Sequence, residues 1–515
     1  MSRSAIKALQ AAAGAASGGP TYVDDVFSTF VYEGNSSSRS IDNGIDLSGE
    51  GGLVWIKERT VSQNHVLTDT VRGATKTLVS NASSAEATDT SHLTAFNSNG
   101  FSLANGNEVN QNSQDFVSWT FRKAPGFFDI VTYTGTGDTG SGHRNISHDL
   151  GVAPGMIITK RLDSSNNWYT WHRGVANDST YYASTGFINL DADFGGYQGF
   201  ATNANQTSTH FAVKQGSDTA DYANRLGASY VAYLFAHDAQ DFGEDSDEAI
   251  IKCGNYTGNG SSTGPTVDLG FEPQWLMIKK ASGSAGWYMY DNMRGVATGG
   301  NDALFYANYN NAETNNQNIV DFTATGFQLV NADGDVNASS ANYIYMAIRR
   351  PHKPASEFAA TDLYKASTQA FTTSFVTTGF PVDLAFTNWR DNANYKRVVD
   401  RVRGDNVALA TDLGGTAEED PSSYWELDHN TGLGLVYSGS LSNYQLHLFR
   451  RAPGFLDIVG YTGNSTQGRT VAHNLTTAPD MIWIRSRSAG TDWVVYAAPA
   501  GATKFLYLNY ESAAT

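Results

Sequence analysis

The stretch FRKAPGFFDIVTYTG, residues 121–135, decides the fold prediction because it occurs twice in the chain. The second copy, FRRAPGFLDIVGYTG, occupies residues 449–463, which is 328 positions further on. A duplication of this length indicates an internally repeated protein. In both copies an apolar strand ends in a basic pair, Ala-Pro-Gly forms a turn, and a β-branched strand begins. The stretch therefore marks a junction between two repeated units.

Length and composition favour several all-β domains. The chain has 515 residues, too many for one hydrophobic core. Only 17% of the residues are charged and 12% are aromatic, which suits sandwich modules with many turns. The net charge of −17 argues against nucleic acid as a partner. The chain has no apolar run of 18 residues, which argues against membrane insertion.

Five related units can be aligned after Pro20. Their shared marker is an Asp or His-Asn before Leu, an apolar strand ending in Lys or Arg and a Trp-rich strand, followed in units one to four by Arg-Gly, and the subtypes follow the order A-B-B-A-B. The sequence predicts an all-β, tandem array of antiparallel, jelly-roll-like β-sandwiches. The units are unit one (21–126), unit two (127–246), unit three (247–352), unit four (353–454) and a partial unit five (455–515). Unit five has fewer strand patterns than its relatives, so we expect it to be covered by another chain.

The N-terminal segment, residues 1–20, has a separate role in this scheme. A short helix is expected there, with Ile6, Leu9 and Ala13 on one small apolar face. The segment lacks a strongly apolar stretch and is not expected to be a signal peptide. It is predicted to attach the chain to a partner, and the glycines at its end would act as a hinge.

The B pattern is clearest in unit three, where YTGNG is followed by LGFEPQWLMIK and then by WYMYDNMRG. This pattern resembles a repeat of the tail and fibre proteins of tailed bacteriophages. The resemblance covers nearly all of residues 21–515 and is loosest in units one and four. It implies a lectin-like sandwich of the concanavalin A-like class and a structural role in the virion. It brings no catalytic residues and no cofactor.

An arginine precedes a glycine at a recurring place in four units, and such an arginine could bind an acidic ligand once per unit. The alternative is a strand end at which the glycine serves a positive-φ turn. The candidates are Arg72, Arg173, Arg294 and Arg403.

Aromatic and acidic clusters supply two further candidate sites. Tyr306, Tyr309 and Trp425 could stack on sugars, with core packing as the alternative. The alternating oxygen ligands of Asn331, Asp333 and Asp335 could hold calcium, although no closing Glu follows, and a turn between strands is the alternative.

Repetition favours a structural or multivalent role, because an enzyme needs one site while a spacer or a binder benefits from many units. The expected function is a virion structural protein, in a tail fibre or tail appendage that mediates attachment. Its expected partners are other virion proteins, copies of itself and host surface glycans. The alternatives are a carbohydrate-binding adhesin, a capsid-surface decoration protein and a glycan-degrading enzyme of lectin-like fold. Serine-hydrolase, zinc-protease and phosphate-loop motifs do not occur in the sequence, which argues against an enzyme.

Overall fold

The fold, seen in a computed structural model, consists almost entirely of antiparallel β-strands. Two short α-helices, α1 (Asn107–Asn110) and α2 (Gly334–Asn337), accompany the strands in the described part of the chain. The all-β class and the tandem sandwiches are therefore confirmed. The structure describes residues 20–137, 142–175, 183–195, 199–214, 223–371, 373–391, 396–405, 407–412, 424–436 and 441–509. The helix expected near the N-terminus lies outside these residues.

Unit one is built from the nine strands β1 to β9. They are β1 (Phe27–Glu33), β2 (Arg39–Asp42), β3 (Gly52–Glu58), β4 (Val66–Asp69), β5 (Lys76–Val79), β6 (Ala87–Thr88), β7 (Leu93–Asn97), β8 (Gly100–Leu103) and β9 (Asp115–Arg122). The larger sheet has the order β1-β9-β3-β4-β5-β6, and the smaller has the order β2-β8-β7.

Units two and three repeat this plan. The strands of unit two are β10 (Phe128–Thr134), β11 (His143–Ser147), β12 (Met156–Arg161), β13 (Tyr169–His172), β14 (Gly186–Phe187), β15 (His210–Lys214) and β16 (Ser229–Phe235). Those of unit three are β17 (Ile251–Thr257), β18 (Thr266–Asp268), β19 (Pro273–Lys280), β20 (Trp287–Asp291), β21 (Phe305–Tyr306), β22 (Val320–Thr323), β23 (Gly326–Leu329) and β24 (Asn342–Arg349). Their larger sheets have the orders β10-β16-β12-β13-β14 and β17-β24-β19-β20-β21, each beside a smaller sheet.

Unit four has the same two-sheet plan, and unit five has part of it. The strands of unit four are β25 (Tyr364–Phe371), β26 (Ser374–Thr377), β27 (Leu384–Trp389), β28 (Lys396–Asp400), β29 (Leu409–Ala410), β30 (Trp425–Glu426), β31 (Gly432–Leu435) and β32 (Leu441–Phe449). Those of unit five are β33 (Met481–Ile484), β34 (Val494–Ala497) and β35 (Leu506–Tyr507). Unit four pairs β25-β32-β27-β28-β29 with β26-β31-β30, whereas the described part of unit five is the single sheet β33-β34-β35.

The large sheets of the first three units are buried on both faces. In β3, Val54 and Ile56 pack toward the small sheet of unit one, while Leu53 and Trp55 point the other way into a second core. Because side chains alternate along a strand, burial of both sets explains why β3 is an unbroken apolar run.

The second faces of units one, two and three meet in one shared core. Phe121 of unit one lies 5.5 Å from Phe235 of unit two and 6.2 Å from Trp275 of unit three, measured between ring centroids. The three sandwiches are thus arranged around a common apolar centre, and we call this arrangement the first ring.

Trp55, Ile158, Trp275 and Trp483 occupy the same apolar central strand of their units, which predicts that they face cores. This prediction is correct in the first ring and wrong in unit five. Trp55, Ile158 and Trp275 are buried, as predicted. Trp483, at the corresponding place in β33, is 40% exposed, and all four residues of β33 are exposed. The reason is that β33 pairs only with β34 among the described strands, whereas β12 and β19 have a strand on both sides.

Candidate functional site at the joints between sandwiches

The contacts between neighbouring units repeat, and their equivalence follows from strand register. Leu53, Met156, Trp275 and Leu384 pair with Asp69, His172, Asp291 and Asp400, respectively. These pairs fix the same position in four units. We call the surface where two neighbouring units touch a joint.

At four joints a ring nitrogen is hydrogen-bonded to a carbonyl oxygen of the neighbouring unit. The donor stands just before or at the start of the strand that follows the central strand, and the acceptor is the equivalent residue of the neighbouring unit. The pairs are His65 Nε2 with Tyr306 O (3.0 Å), Trp168 Nε1 with Val79 O (3.0 Å), Trp287 Nε1 with Phe187 O (2.9 Å) and Trp493 Nε1 with Ala410 O (2.7 Å). The first three pairs join one to three, two to one and three to two, so they close a cycle.

Backbone hydrogen bonds close the same cycle. The donors are the amides of Glu86, Phe194 and Glu313, and the acceptors are the carbonyls of Leu162, Ala281 and Arg59, at 3.0, 3.0 and 2.8 Å. One such bond runs from each unit to the next, so units one, two and three are related by an approximate threefold axis. The first ring is therefore closed.

Three of the four candidate arginines lie in Asp-x-x-Arg-Gly turns and are buried. The Nε of Arg72, Arg294 and Arg403 donates to the carboxylate three residues earlier, and another nitrogen of each donates to a backbone carbonyl of the preceding strand. The following glycines have φ of +108°, +114° and +93°, a conformation that L side chains rarely adopt. The alternative to a ligand site, a strand end at which the glycine serves a positive-φ turn, thus accounts for these three arginines.

Arg173 does not share that geometry. The turn in unit two is shorter by two residues, so His172 stands at the aspartate position and Arg173 follows at once. Arg173 is exposed, whereas Arg294 is fully buried against the rings of Trp119 and Phe305. The four arginines are therefore not one repeated ligand site.

Two of these aspartates, Asp69 and Asp291, also accept a hydrogen bond from a neighbouring unit. Tyr233 of unit two donates its hydroxyl to Asp69 Oδ2 of unit one at 2.8 Å. Trp119 of unit one donates Nε1 to Asp291 Oδ2 of unit three at 3.0 Å. Trp119 and Tyr233 are equivalent by register, since they pair with Trp55 and Ile158.

At the joint between units two and three, different residues form the buried hydrogen bond. Met346 of unit three stands where Trp119 and Tyr233 stand, and its thioether cannot donate a hydrogen bond. At this joint His172 Nε2 of unit two lies 3.0 Å from the carbonyl oxygen of Tyr345. Replacement of both partners keeps the buried polar groups satisfied. Burial lowers the pKa of His172 to about 3, so the ring is neutral at ordinary pH. Its Nδ1 accepts from the Gly174 amide at 3.0 Å, so the proton is on Nε2, which donates.

Each unit of the first ring also buries a lysine at the end of its central strand. Lys57, Lys160 and Lys279 have no exposed surface. Lys160 Nζ donates to Ser83 O of unit one at 3.2 Å, and Lys279 Nζ donates to Asp191 O of unit two at 3.0 Å. Burial lowers the pKa of all three lysines to about 8. The lysines therefore add buried charge at the joints below that pH.

A buried ion network links the first ring to units four and five. Glu272 of unit three accepts two hydrogen bonds from Arg451, at 2.8 and 2.7 Å, and one from Arg350 at 2.9 Å. Asp457 of unit five accepts from the same two arginines. Burial would raise the pKa of Asp457, but Arg451 and Arg350 outweigh it and hold that pKa below its usual range.

The charged stretches between units pair with one another. Arg349 begins the basic stretch RRPHKP that leads from unit three to unit four, and its guanidinium donates to Glu248, in the acidic stretch that leads from unit two to unit three, at 3.1 Å. Lys353 lies 3.2 Å from Asp25 of unit one. These ion pairs therefore connect the two charged stretches to each other and to unit one.

The aromatic candidates occupy different environments. Trp425 is 3% exposed in the core of unit four, so it does not offer a stacking surface. Tyr306 is half-buried, with its ring centroid 4.8 Å from that of Tyr288 and 5.4 Å from that of Tyr309. Tyr309 is 39% exposed, but the equivalent position in unit two is Leu190, so an exposed aromatic is not repeated there.

The candidate calcium ligands form a helix start. Asp333 precedes α2 and accepts a hydrogen bond from the Asp335 amide at 2.8 Å, while Asn331 Oδ1 accepts from the Asp333 amide at 3.0 Å. Asp335 accepts from the hydroxyl of Tyr288 at 3.2 Å. Within the described residues no group of three His, Cys, Asp or Glu side chains could hold a metal ion.

Two further features concern partners. Ile6, Leu9 and Ala13, the predicted attachment face, lie outside the described residues. Among the helices that the structure describes, none is long and apolar enough to cross a membrane.

Comparison with known families identifies the repeat. The family described as "Domain of unknown function (DUF7483)" matches residues 23–351 and 450–515, which is more than half of the chain. The chain belongs to the DUF7483 family. The first DUF7483 match spans the closed ring of units one to three, and the second spans unit five. No curated protein and no solved structure matches the chain.

The joint residues of this DUF7483 protein could not be predicted from the sequence, because their contacts join different units and not neighbouring positions along the chain. A signal was nevertheless present. The pattern Asp-x-x-Arg-Gly occurs in units one, three and four, and an aspartate three residues before an arginine at a strand end is typical of a local ion pair. The sequence also shows a lysine near the end of the central strand in units one to three, but it does not show that this lysine is buried.

Proposed function

We propose that this protein is a structural component of a tailed-phage virion, in a tail fibre or tail appendage of repeated sandwiches that contributes to attachment. The observation that carries the proposal is the closed first ring. Three sandwiches share one apolar core and are joined by a repeated set of buried hydrogen bonds. A shared core prevents independent domain motion, which suits a rigid building block. The resemblance to tail and fibre repeats adds the virion context.

The buried charges of the joints support a structural role over a catalytic one. Asp69 and Asp291 are fully buried, and each accepts hydrogen bonds from an arginine of its own turn and from an aromatic residue of a neighbouring unit. A general acid or base must reach a substrate proton. These carboxylates instead hold units together.

Immunogold electron microscopy tests the proposal. Antibodies raised against the full chain should label purified virions whose genome encodes it, and the gold should lie on the tail or its appendages. Label confined to the capsid surface would favour a decoration protein instead. Virions without label, prepared from cells that make the chain, would contradict the proposal.

Glycan binding is the main competing proposal, and it has a separate test. A carbohydrate-binding adhesin would need an accessible surface such as that of Tyr309, the most exposed of the aromatic candidates. Binding of the purified chain to host surface polysaccharide, lost in Tyr309→Ala and kept in Leu226→Ala, would move the function to that class. Leu226 is the matched control because it is 59% exposed in another unit.

A further inference from the structure

The joint between units one and three closes the first ring, and no direct chain connection spans it. Residues 123–127 lead from unit one to unit two, and residues 236–250 lead from unit two to unit three. Units one and three are neighbours in the ring, but the whole of unit two separates them along the chain. Because the entropic cost of closing a loop grows with its length, this joint is the most costly of the three to form.

Unit four lies against this joint and contacts both of its sides. On unit three, Thr298 donates its amide to the Val402 carbonyl of unit four at 2.8 Å. On unit one, the side-chain amide of Asn430 donates to the Val31 carbonyl at 2.7 Å. Val31 belongs to β1, the edge strand of the large sheet, and Asn430 belongs to the turn between β30 and β31. Unit four therefore bridges units one and three.

A largely buried arginine joins all three units. Arg59 of unit one donates from Nε and Nη2 to the carboxylate of Glu313 of unit three, at 3.1 and 2.9 Å. Its Nη1 donates to Asp428 of unit four at 2.9 Å. The Glu313 amide also donates to the Arg59 carbonyl at 2.8 Å. The residue pair that closes the joint is thus the same pair that holds the turn of unit four.

The arginine is specific to this joint. The carbonyl groups equivalent to that of Arg59 at the other two joints of the ring belong to Leu162 and Ala281. Neither of these side chains can pair with a carboxylate. Among the three joints of the first ring, only the closing joint therefore carries a cation at the place where Asp428 binds.

Both ends of unit four are tied to the start of unit one. Just before unit four, the His352 amide donates to Asp24 at 3.2 Å, and Lys353 Nζ lies 3.2 Å from Asp25. Directly after β32, Arg450 donates to Asp24 at 3.4 Å. Asp24 and Asp25 stand just before β1. Unit four is therefore held to unit one at its beginning, at its end and at the turn that carries Asp428.

We propose that unit four is a clamp on the closing joint of the first ring. It contacts units one and three together only while the joint is closed, so its docking favours the closed ring. Because unit four belongs to the same chain, its effective concentration at the joint is high. The DUF7483 match leaves out residues 352–449, which agrees with a role outside the repeat that forms the ring. This inference does not depend on the virion assignment.

Hydrogen exchange at three equivalent amides tests the clamp. The amides of Glu313, Glu86 and Phe194 make the same backbone hydrogen bond at the three joints of the ring. The double variant Asp428→Ala, Asn430→Ala removes two links from the side of unit four and changes no residue of the ring. In this variant the Glu313 amide should exchange about tenfold faster or more, because the closing joint opens more often. The Glu86 and Phe194 amides should change by less than about twofold.

A thiol in the closing joint measures the same opening at a second place. Ser80 of unit one is fully buried, and its hydroxyl donates to the Ala307 carbonyl of unit three at 2.7 Å. The Ser80→Cys thiol should react with a thiol reagent about tenfold faster in the double variant. The native Cys253 is buried, and burial raises its pKa, so background labelling is low. Thr431→Ala, at an exposed position of the same turn, is the matched control and should leave both measurements unchanged.

The prediction is the same whether or not the double variant unfolds unit four, since the clamp is lost in either case. An unchanged exchange rate of the Glu313 amide would overturn the proposal. Equal acceleration at all three amides would overturn it too, because it would mean a general loss of ring stability. Faster exchange at Glu313 with an unchanged Ser80→Cys thiol would mean that only the loop around Glu313 loosens, and this result would also rule out the clamp.

Discussion

The first ring and the pair formed by units four and five use the same strands to different effect. In the first ring, the face of each large sheet turned toward the axis is buried by two neighbours, and Trp119 and Phe121 have no exposed surface. In unit four, the equivalent His447 and Phe449 are half-buried, and Tyr364, the equivalent of Phe27, is 37% exposed. The difference shows that one repeat sequence encodes a sandwich core and a separate joint surface. Paired substitutions at equivalent positions can measure what the joint surface contributes to stability without disturbing the sandwich core.

The largest expected difference concerns the central strand. Ile157 in β12 is fully buried, whereas Ile482 at the equivalent place in β33 is 40% exposed. Ile157→Lys should lower the free energy of unfolding by more than about 4 kcal/mol, because it buries a charge without a partner. Ile482→Lys should change it by less than about 0.5 kcal/mol, as exposed substitutions do. Calorimetric melting of both variants measures the two losses of stability, and equal losses would contradict the exposure of β33.

The second difference concerns the aspartates of the Asp-x-x-Arg-Gly turns. Asp291 accepts from Arg294 of its own unit and from Trp119 of unit one, whereas Asp400 accepts from Arg403 of its own turn. Asp291→Ala should cost about 3 kcal/mol, because it leaves a buried indole without an acceptor and removes one of the two carboxylates that pair with the buried Arg294, the other being Glu313. Asp400→Ala should cost less. Urea unfolding of the two variants, followed by tryptophan fluorescence, tests the order of the two losses.

The sequence predicts the sandwiches but not their arrangement in a ring. The repeat of FRKAPGF, the alternating strand patterns and the turn residues are local signals, so the all-β class and the tandem units could be predicted from them. The joints depend on residues far apart in sequence, such as Trp119 with Asp291, and one chain without aligned relatives carries no signal for such a pair. Trp483 shows the same limit of sequence-based prediction, because it was expected to be buried and is exposed. Its apolar strand predicts burial, but burial needs a neighbour that the strand itself cannot specify.

A third comparison isolates one hydrogen bond of the joint. Trp119→Phe keeps a buried aromatic ring but removes the donor to Asp291 Oδ2. The expected loss is about 1–3 kcal/mol, because a buried carboxylate loses one partner. The matched variant His447→Phe in unit four should cost less than about 1 kcal/mol, since His447 is half-buried beside an open groove between units four and five and its hydrogen bond, at 2.6 Å, is to the exposed hydroxyl of Tyr364. Differential scanning calorimetry of both variants measures the difference, and a large loss in His447→Phe would contradict the open groove.

The smallest expected effect per residue is a pH dependence that the first ring should have and unit four should lack. Burial lowers the pKa of Lys57, Lys160 and Lys279 to about 8, whereas unit four has Asn388 at that position. Between about pH 8 and the usual lysine pKa near 10.5, the unfolded chain binds more protons than the folded chain, so stability must rise with pH. Each lysine should add about 1 kcal/mol between pH 8 and pH 9.5.

The melting temperature of the first ring should therefore increase between pH 7.5 and 9.5. The triple variant Lys57→Met, Lys160→Met, Lys279→Met should flatten this increase, because methionine fills a similar volume and does not titrate. Lys365→Met is the control, since Lys365 is exposed in unit four and its loss should leave the slope unchanged. A slope that survives in the triple variant would mean that other groups carry the pH dependence. Its loss would show that the buried lysines weaken the joints at neutral pH, and the joints would then tighten as the lysines lose their protons.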